Sequence, residues 1–409
     1  MLILLLACAP HTEVIDDGSD TAPVDSGGDD TGPPPPPEWV GTGDDGPLNA
    51  AAPTDLDVFA PSWAVRVLDG AAVTVDRTVT GLSAGDEVLL LDVQGTPGAT
   101  ADVGHFLFTR VSLVSGDVVQ LQDAPAGFSA AGQKLILQRV PNFTDVTITG
   151  ALTPSAWEGG VGGVLAFRAT GTVTVAAGGR LAVDGVGYAG GLTGPQYGYD
   201  AYQGESYTGP GAGGAPPPSY NDVTDSWTAN GGGGGANVTG GGGEYGGGAT
   251  AADAWYPGGP YRAPEAGEVY GDAALTGLWF GSGGGGVWND GSPPAAGGAG
   301  GGILYLAATE IVAASAAAFT AEGAGTDGWS QGTWSYGAGG GAGGTIWLRA
   351  SRMELAPGAV EAVGGRGKRD VDSWGGDGGE GRVRIDAAEV AGASLAEASE
   401  PDAYAGDLP

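Results

Sequence analysis

Few side chains in this 409-residue chain are equipped for chemistry. It has two histidines, His11 and His105, and one cysteine, Cys8. Zinc is held by several Cys and His ligands, so this inventory argues against a zinc site. His105 lies in Gly104-His105-Phe106-Leu107 with no Ser or Cys pattern beside it for nucleophilic catalysis. No Gly-Lys-Ser/Thr tripeptide completes a phosphate loop. The nearest approach to a Ca²⁺-binding nonapeptide is Gly375-Gly376-Asp377-Gly378-Gly379-Glu380-Gly381-Arg382. It has Glu where Asp is needed, Arg at the apolar position and no tandem copy. Asp370, Asp372 and Asp377, clustered on a Gly-rich turn, are the candidate Ca²⁺ ligands. Cleavage of sugar chains would need paired carboxylates. The candidates are Asp184, Asp200, Glu205, Asp253, Glu265 and Glu268, and none is visibly matched with another on a neighbouring repeat.

Aromatic side chains are better supplied, with 11 Trp and 13 Tyr. Many fall between Gly runs in residues 188–300. Flat rings flanked by Gly and Asn suit sugar stacking and protein contacts, since they offer area at little cost in side-chain entropy. Trp255, Tyr256, Trp279 and Trp288 are the candidate ligand-binding residues. The competing reading is that the rings only cover the apolar side of the Gly-rich segment. A net charge of −33 argues against nucleic acid, whose phosphates attract Lys and Arg.

What would position these residues is a repeated phrase. It spans 162–187, 301–325 and 343–367, with a shortened copy from Gly381. Each copy alternates strictly, which is the period of a strand. One set is apolar throughout: Leu165/Phe167/Ala169, Leu304/Leu306/Ala308, Ile346/Leu348/Ala350 and Val383/Ile385/Ala387. The interleaved set contains Arg168, Tyr305, Trp347, Arg349, Arg384 and Asp386, and its charges predict that it faces outward. A second strand is expected at Val173/Val175, Ile311/Ala313 and Met353/Leu355, and a third at Leu181/Val183, Phe319/Ala321 and Val360/Ala362. One unit cannot bury its apolar face alone, whereas stacked units can. The expected fold is all-β, with a parallel β-helix (β-solenoid) and glycine-rich loops over 151–390. A flat β-sandwich is the competing fold.

The 84 Gly and 27 Pro would by themselves suggest low complexity. Alternation of Gly-rich loops with strands reconciles them with the apolar runs. The aromatic insertion 188–300 is read either as long loops or as packed polyglycine-type extended helices covered by rings. Residues 51–150 carry short strands bounded by turn signals. They are expected to form a small N-terminal β domain that caps the solenoid, because an uncovered end is an open sheet edge. Residues 391–409 form a C-terminal tail.

Residues 1–8, MLILLLAC, resemble the lipobox of bacterial lipoproteins. The resemblance implies a lipoprotein signal with lipidation at Cys8, although no Lys or Arg precedes the short apolar run. Residues 9–50 are acidic, rich in Pro and Gly and poor in large apolar groups. They are expected to be a disordered tether. The segments GDEVLLLDVQGT and FLFTRVSLVSGDVVQL, the joining stretch that ends at Val175, and GGAGGGILYLAA, GGGAGGTIWLRA and GGEGRVRID together resemble a family of glycine-rich bacterial surface proteins, gliding-motility or adhesin-like. That resemblance implies surface β-structure and no catalytic residues.

The expected function is that of a non-enzymatic, lipid-anchored protein of the bacterial outer membrane or cell surface. Its role would be adhesin-like or structural, with a polysaccharide or another surface protein as partner and no cofactor beyond Ca²⁺. The alternatives are a secreted β-helix carbohydrate-active enzyme (lyase or hydrolase) and a passive surface spacer.

Overall fold

The computed structural model describes residues 37–192, 202–211, 266–286, 296–326, 329–331, 334–336, 338–367 and 375–408. The apolar set of the repeated phrase lines up strand against strand. Val164–Val175, Ile303–Ala313, Thr345–Leu355 and Arg382–Gly392 run parallel and side by side. Leu165, Leu304, Ile346 and Val383 share one register position, and Phe167, Leu306, Leu348 and Ile385 another. Leu48–Ala50 and Val146–Ile148 extend this sheet on one side and Tyr404–Gly406 on the other.

A second parallel sheet holds the short strands Thr54–Asp55, Ala151–Thr153, Arg180–Ala182, Phe319–Thr320, Val360–Glu361 and Ser399–Glu400. Each strand of the second sheet follows one of the first along the chain. Apolar side chains of both sheets meet between them in one core, which includes Phe167, Leu306, Phe319, Met353 and Val360.

The first two strands expected in each copy are a single strand. In Ile303–Ala313 and Thr345–Leu355 the core-facing alternation changes phase without a turn, after Ala308 and Ala350, while Val164–Val175 fits an extra residue between Ala169 and Thr172 and keeps its phase. Gly171 lies in that stretch. A Cβ there would lie 2.2 Å from the Asp145 carboxylate, which accepts the Thr172 N–H at 2.8 Å.

The Gly runs form a layer of their own. Gly298 N–H donates to Gly339 O and Gly301 N–H to Ala342 O. Gly340 and Gly343 donate to Gly376 and Gly379, and Gly281 and Gly284 to Gly301 and Gly298. Donors three residues apart have the repeat of the polyproline II-type extended helix, which forms no internal hydrogen bonds and must bond to neighbours. Backbones pack so closely here that a Cβ on Gly341 would lie 2.0 Å from Ala299 O. Within 188–300, the described Gly runs around 281–284 and 297–300 take part in this layer.

Between Thr54–Asp55 and Asn142–Phe143 the chain builds a closed antiparallel barrel. Its strands are Ser62–Asp69, Ala72–Val75, Glu87–Gln94, Phe106–Ser115, Val118–Leu121 and Lys134–Arg139. Val65, Val73, Val88, Leu90, Val119 and Leu137 share its apolar core. The other face of Glu87–Gln94 presents Leu89, Leu91 and Val93, which pack with Val164, Ala166, Ile303, Tyr305 and Trp347 of the first sheet.

This last contact corrects the expectation that the interleaved set faces outward. Arg168 is 7% exposed, Tyr305 1%, Trp347 7% and Asp386 0%. The first sheet is covered on both faces, by its own core and by the barrel. Aromatic rings supply the second contact: Phe108 lies 4.6 Å from Tyr305, and Phe106 5.8 Å from Trp347.

The charges in that seam are paired. Arg168 donates to Glu87 at 2.8–2.9 Å, and Asn142 Nδ2 donates to Glu87 at 3.0 Å. Asp386 accepts from Arg384 at 2.8 Å and from the Trp347 indole at 3.0 Å, with Arg349 at 3.3 Å.

Candidate functional site

The sequence-predicted aromatic platform is described at Trp279 alone. Trp255, Tyr256 and Trp288 lie outside the described residues, as do Cys8, Asp370 and Asp372. Trp279 is half-buried, and its indole donates to Val103 O at 2.9 Å. A Cβ on Gly104 would come within 2.2 Å of the ring, so Gly is needed for the loop and indole to meet. The neighbouring rings are fasteners as well. Tyr188 is buried and donates to Val93 O. The Trp157 indole donates to Glu205 at 3.0 Å, and Tyr207 lies 4.6 Å from Tyr270. Each joins the barrel, the first sheet or the glycine layer to another part. Asp377 is drawn into the glycine layer, where it accepts the Gly367 N–H at 2.9 Å.

The carboxylates behave differently from their sequence reading. Asp184 Oδ2 accepts the Thr320 hydroxyl at 2.8 Å, and Oδ1 accepts the Glu322 N–H at 2.9 Å. The parallel register then sets Thr320 beside Glu361, and Glu361 beside Glu400. Asp184, Glu322, Glu361 and Glu400 thus come from successive units of the second sheet. Burial pushes the Glu322 carboxyl up to about 7, with Asp184 and Glu361 adding to the rise and Arg180 opposing it. Chemically this group can share a proton. Glu361 and Glu400 also border an open cavity of about 450 Å³ with Glu380, Glu397 and Asp402.

The other carboxylates named from sequence do not join this row. Glu205 is tied to Trp157 and to the Ala189 N–H, and Glu268 is exposed. Asp200, Asp253 and Glu265 lie outside the described residues. Sequence reading missed the pairing because Asp184 and Thr320 are 136 positions apart. Alignment of the third strands, Leu181 with Phe319 and Val360, was the available signal.

A second cleft, of about 550 Å³, lies beside the barrel and is lined by Glu38, Thr42, Glu87, Phe108, Arg110 and Asp123. One contact of its Phe108 ring is the Arg168 guanidinium, 4.7 Å from the centroid. Among the described residues, no group of three or more His, Cys, Asp or Glu side chains is placed to hold a metal ion. Among them, no helix is long and apolar enough to cross a membrane. The chain matches no protein-family model and no curated protein.

Proposed function

We propose that the chain is a non-enzymatic surface protein, adhesin-like or structural, whose body is a parallel β-helix. The carrying observation is the alternation of strands between two parallel sheets, with identical register positions filled by the same phrase from unit to unit. Such a path makes a stacked body whose length grows with each unit. The described aromatic side chains support the structural side of this reading, since they fasten layers together. A lipid anchor at Cys8 and an acidic tether shorter than the expected 9–50, since Leu48–Ala50 is a strand of the first sheet, would hold the body off a bacterial outer membrane. Polysaccharide or a second surface protein would be its partner.

Two measurements on the full chain test the proposal. Labelling with a radioactive fatty acid and fractionation should place the wild type in the membrane and Cys8→Ser in the soluble fraction. Equal labelling of the two removes the anchor. A glycan panel, with and without Ca²⁺ and followed by product analysis, tests the rest. Binding without turnover supports an adhesin, and no binding leaves a spacer. Turnover abolished by Glu322→Gln would replace the proposal with the carbohydrate-active enzyme, the reading that the Asp184–Glu322–Glu361 row favours.

A further inference from the structure

Among the described residues, two buried side-chain oxygens have no hydrogen-bond partner, and both belong to one barrel strand. They are Asp92 Oδ1 and Gln94 Oε1 in Glu87–Gln94. Both side chains are 0% exposed. Buried polar atoms are nearly always partnered, so two open ones two residues apart call for a common cause. Both atoms are acceptors, so what they need is a donated hydrogen, from a proton on Asp92 or a buried water, or else a cation.

The surrounding atoms decide between these. With its amide turned to suit its neighbours, Gln133 donates to Asp92 Oδ2 at 2.8 Å and to Ser129 O at 2.9 Å. The Gln94 backbone N–H also reaches the Asp92 carboxylate. Gln94 Nε2 donates to Glu205 Oε1 at 2.9 Å and to Ser206 O at 2.8 Å. Ca²⁺ would require about six or more oxygens, whereas a proton needs one oxygen to carry it and one to accept it.

The charged neighbours favour the proton. Asp102, from the following loop, disfavours a negative Asp92. The exposed ring of His105 is stacked on Phe128 at 4.3 Å and lies 3.2 Å from Gly127 O. Lys134, across from Gln94 on Lys134–Arg139, is turned to Glu205 at 4.0 Å and to the Trp157 ring at 5.5 Å. Burial first, and Asp102 second, push Asp92 up to about 7.

We propose that Asp92 is carried as a neutral carboxylic acid whose Oδ1 proton is donated to Gln94 Oε1, and that this bond latches the barrel to the glycine layer. The proton fixes the Gln94 amide, whose Nε2 holds the 205–206 segment. Glu205 in turn accepts the Trp157 indole and the Ala189 N–H. Gly95, the next residue, donates to Tyr207 O at 2.9 Å. Ionised Asp92 would set a bare negative oxygen against the Gln94 carbonyl and Asp102. The amide must then turn, and both of its bonds to 205–206 are lost. Because the folded value of Asp92 is raised, the latch contributes fully below the ordinary value of 3.8 and is lost as pH rises through about 7.

The test uses the full chain carrying Glu322→Gln, which removes the other carboxyl raised to about 7. Denaturant unfolding is followed from about pH 5 to about pH 8 with Asp92 and with Asp92→Asn. The Asp92 chain should lose folding constant by up to about tenfold per pH unit relative to the Asn chain. Amide exchange at Gly95 and Ser206 should quicken over the same range only when Asp92 is present. A difference between the chains that does not change with pH overturns the proposal. So does recovery of stability at about pH 8 by Ca²⁺ or Mg²⁺ that EDTA reverses and Asp92→Asn abolishes, since a cation would then be the occupant. If Asp92→Asn fails to fold, infrared spectra of ¹³C-aspartate-labelled wild type decide. At about pH 6, where ordinary Asp side chains are ionised, one protonated carboxyl band should remain, and its absence sinks the idea.

Discussion

The two parallel sheets handle charge on their outer faces in opposite ways. Beneath the barrel, the first sheet carries Arg168, Arg349, Arg384 and Asp386, and the barrel adds Glu87. Opposite signs alternate there and the groups are well buried. On the second sheet the successive units bring Asp184, Glu322, Glu361 and Glu400 together, with Arg180 as the counter-charge that lowers Glu322. Alternating signs under a lid give each buried charge a counter-charge at hydrogen-bond distance. Like signs in a half-open row leave Glu322 favoured as the neutral acid. The same stacking of units therefore yields a paired seam on one side and a proton-holding Glu322 on the other.

The largest effect should come from breaking a buried pair. Arg168→Leu leaves Glu87 in the seam with only Asn142 as a polar partner, and should cost about 3–5 kcal/mol. The lowered midpoint in urea unfolding reads this directly. A shift no larger than that of a surface Arg substitution would mean that water reaches Glu87, and the contrast between the sheets would weaken.

Adding Glu87→Leu to Arg168→Leu sharpens the point. Replacing both charges with apolar groups is often neutral, so the double variant should recover most of the loss. The recovery will be incomplete, because Arg168 also donates to Trp39 O and to the Tyr305 hydroxyl. Failure of the double variant to exceed the single one would show that these bonds, and not the charge, hold the seam.

Much of this arrangement was legible beforehand, and the reason is local. Period-two alternation depends on neighbours in sequence, so the positions of Leu165, Leu304, Ile346 and Val383 could be matched before any pairing was known. The seam was not legible, because the cover for Arg168 comes from barrel residues about 60–80 positions upstream and that for Trp347, Phe106, from about 240 positions upstream, and alternation says nothing about a distant partner. One sign was available: Leu89-Leu90-Leu91 is a continuous apolar run, which marks a strand buried on both faces. Asp92 and Gln94 at the end of that run are polar residues where none is expected, and each has a buried side-chain oxygen without a partner among the described residues. The carboxylate row was hidden by the length of the insertion between Asp184 and Glu322.

A smaller effect is expected in the row. Glu322 is raised from 4.5 to about 7, so its neutral form suits the fold and its ionised form strains it. Stability from this group is full below 4.5 and is lost as pH rises through about 7. Glu322→Gln should flatten that decline and raise stability at about pH 8. The gain is about 1 kcal/mol at most, because solvent screens a half-exposed group. Thermal unfolding at about pH 5 and about pH 8 measures it, and equal shifts at both values would remove the proton from the account.

The smallest change tests the one cation that opposes the row. Arg180 lowers the Glu322 value against three contributions that raise it, from burial, Asp184 and Glu361. Arg180 is exposed, so Arg180→Gln should alter stability by only about 0–1 kcal/mol. Its clearer mark is on the titration. The Glu322 midpoint, followed by carboxyl NMR, should move upward in Arg180→Gln, and salt should shrink the difference from wild type. The Asp386 cluster under the barrel supplies the control, since added salt should leave its ion pairs almost untouched. If salt moved both regions alike, the barrel would not be sealing its seam from solvent, and the two sheets would differ in composition alone.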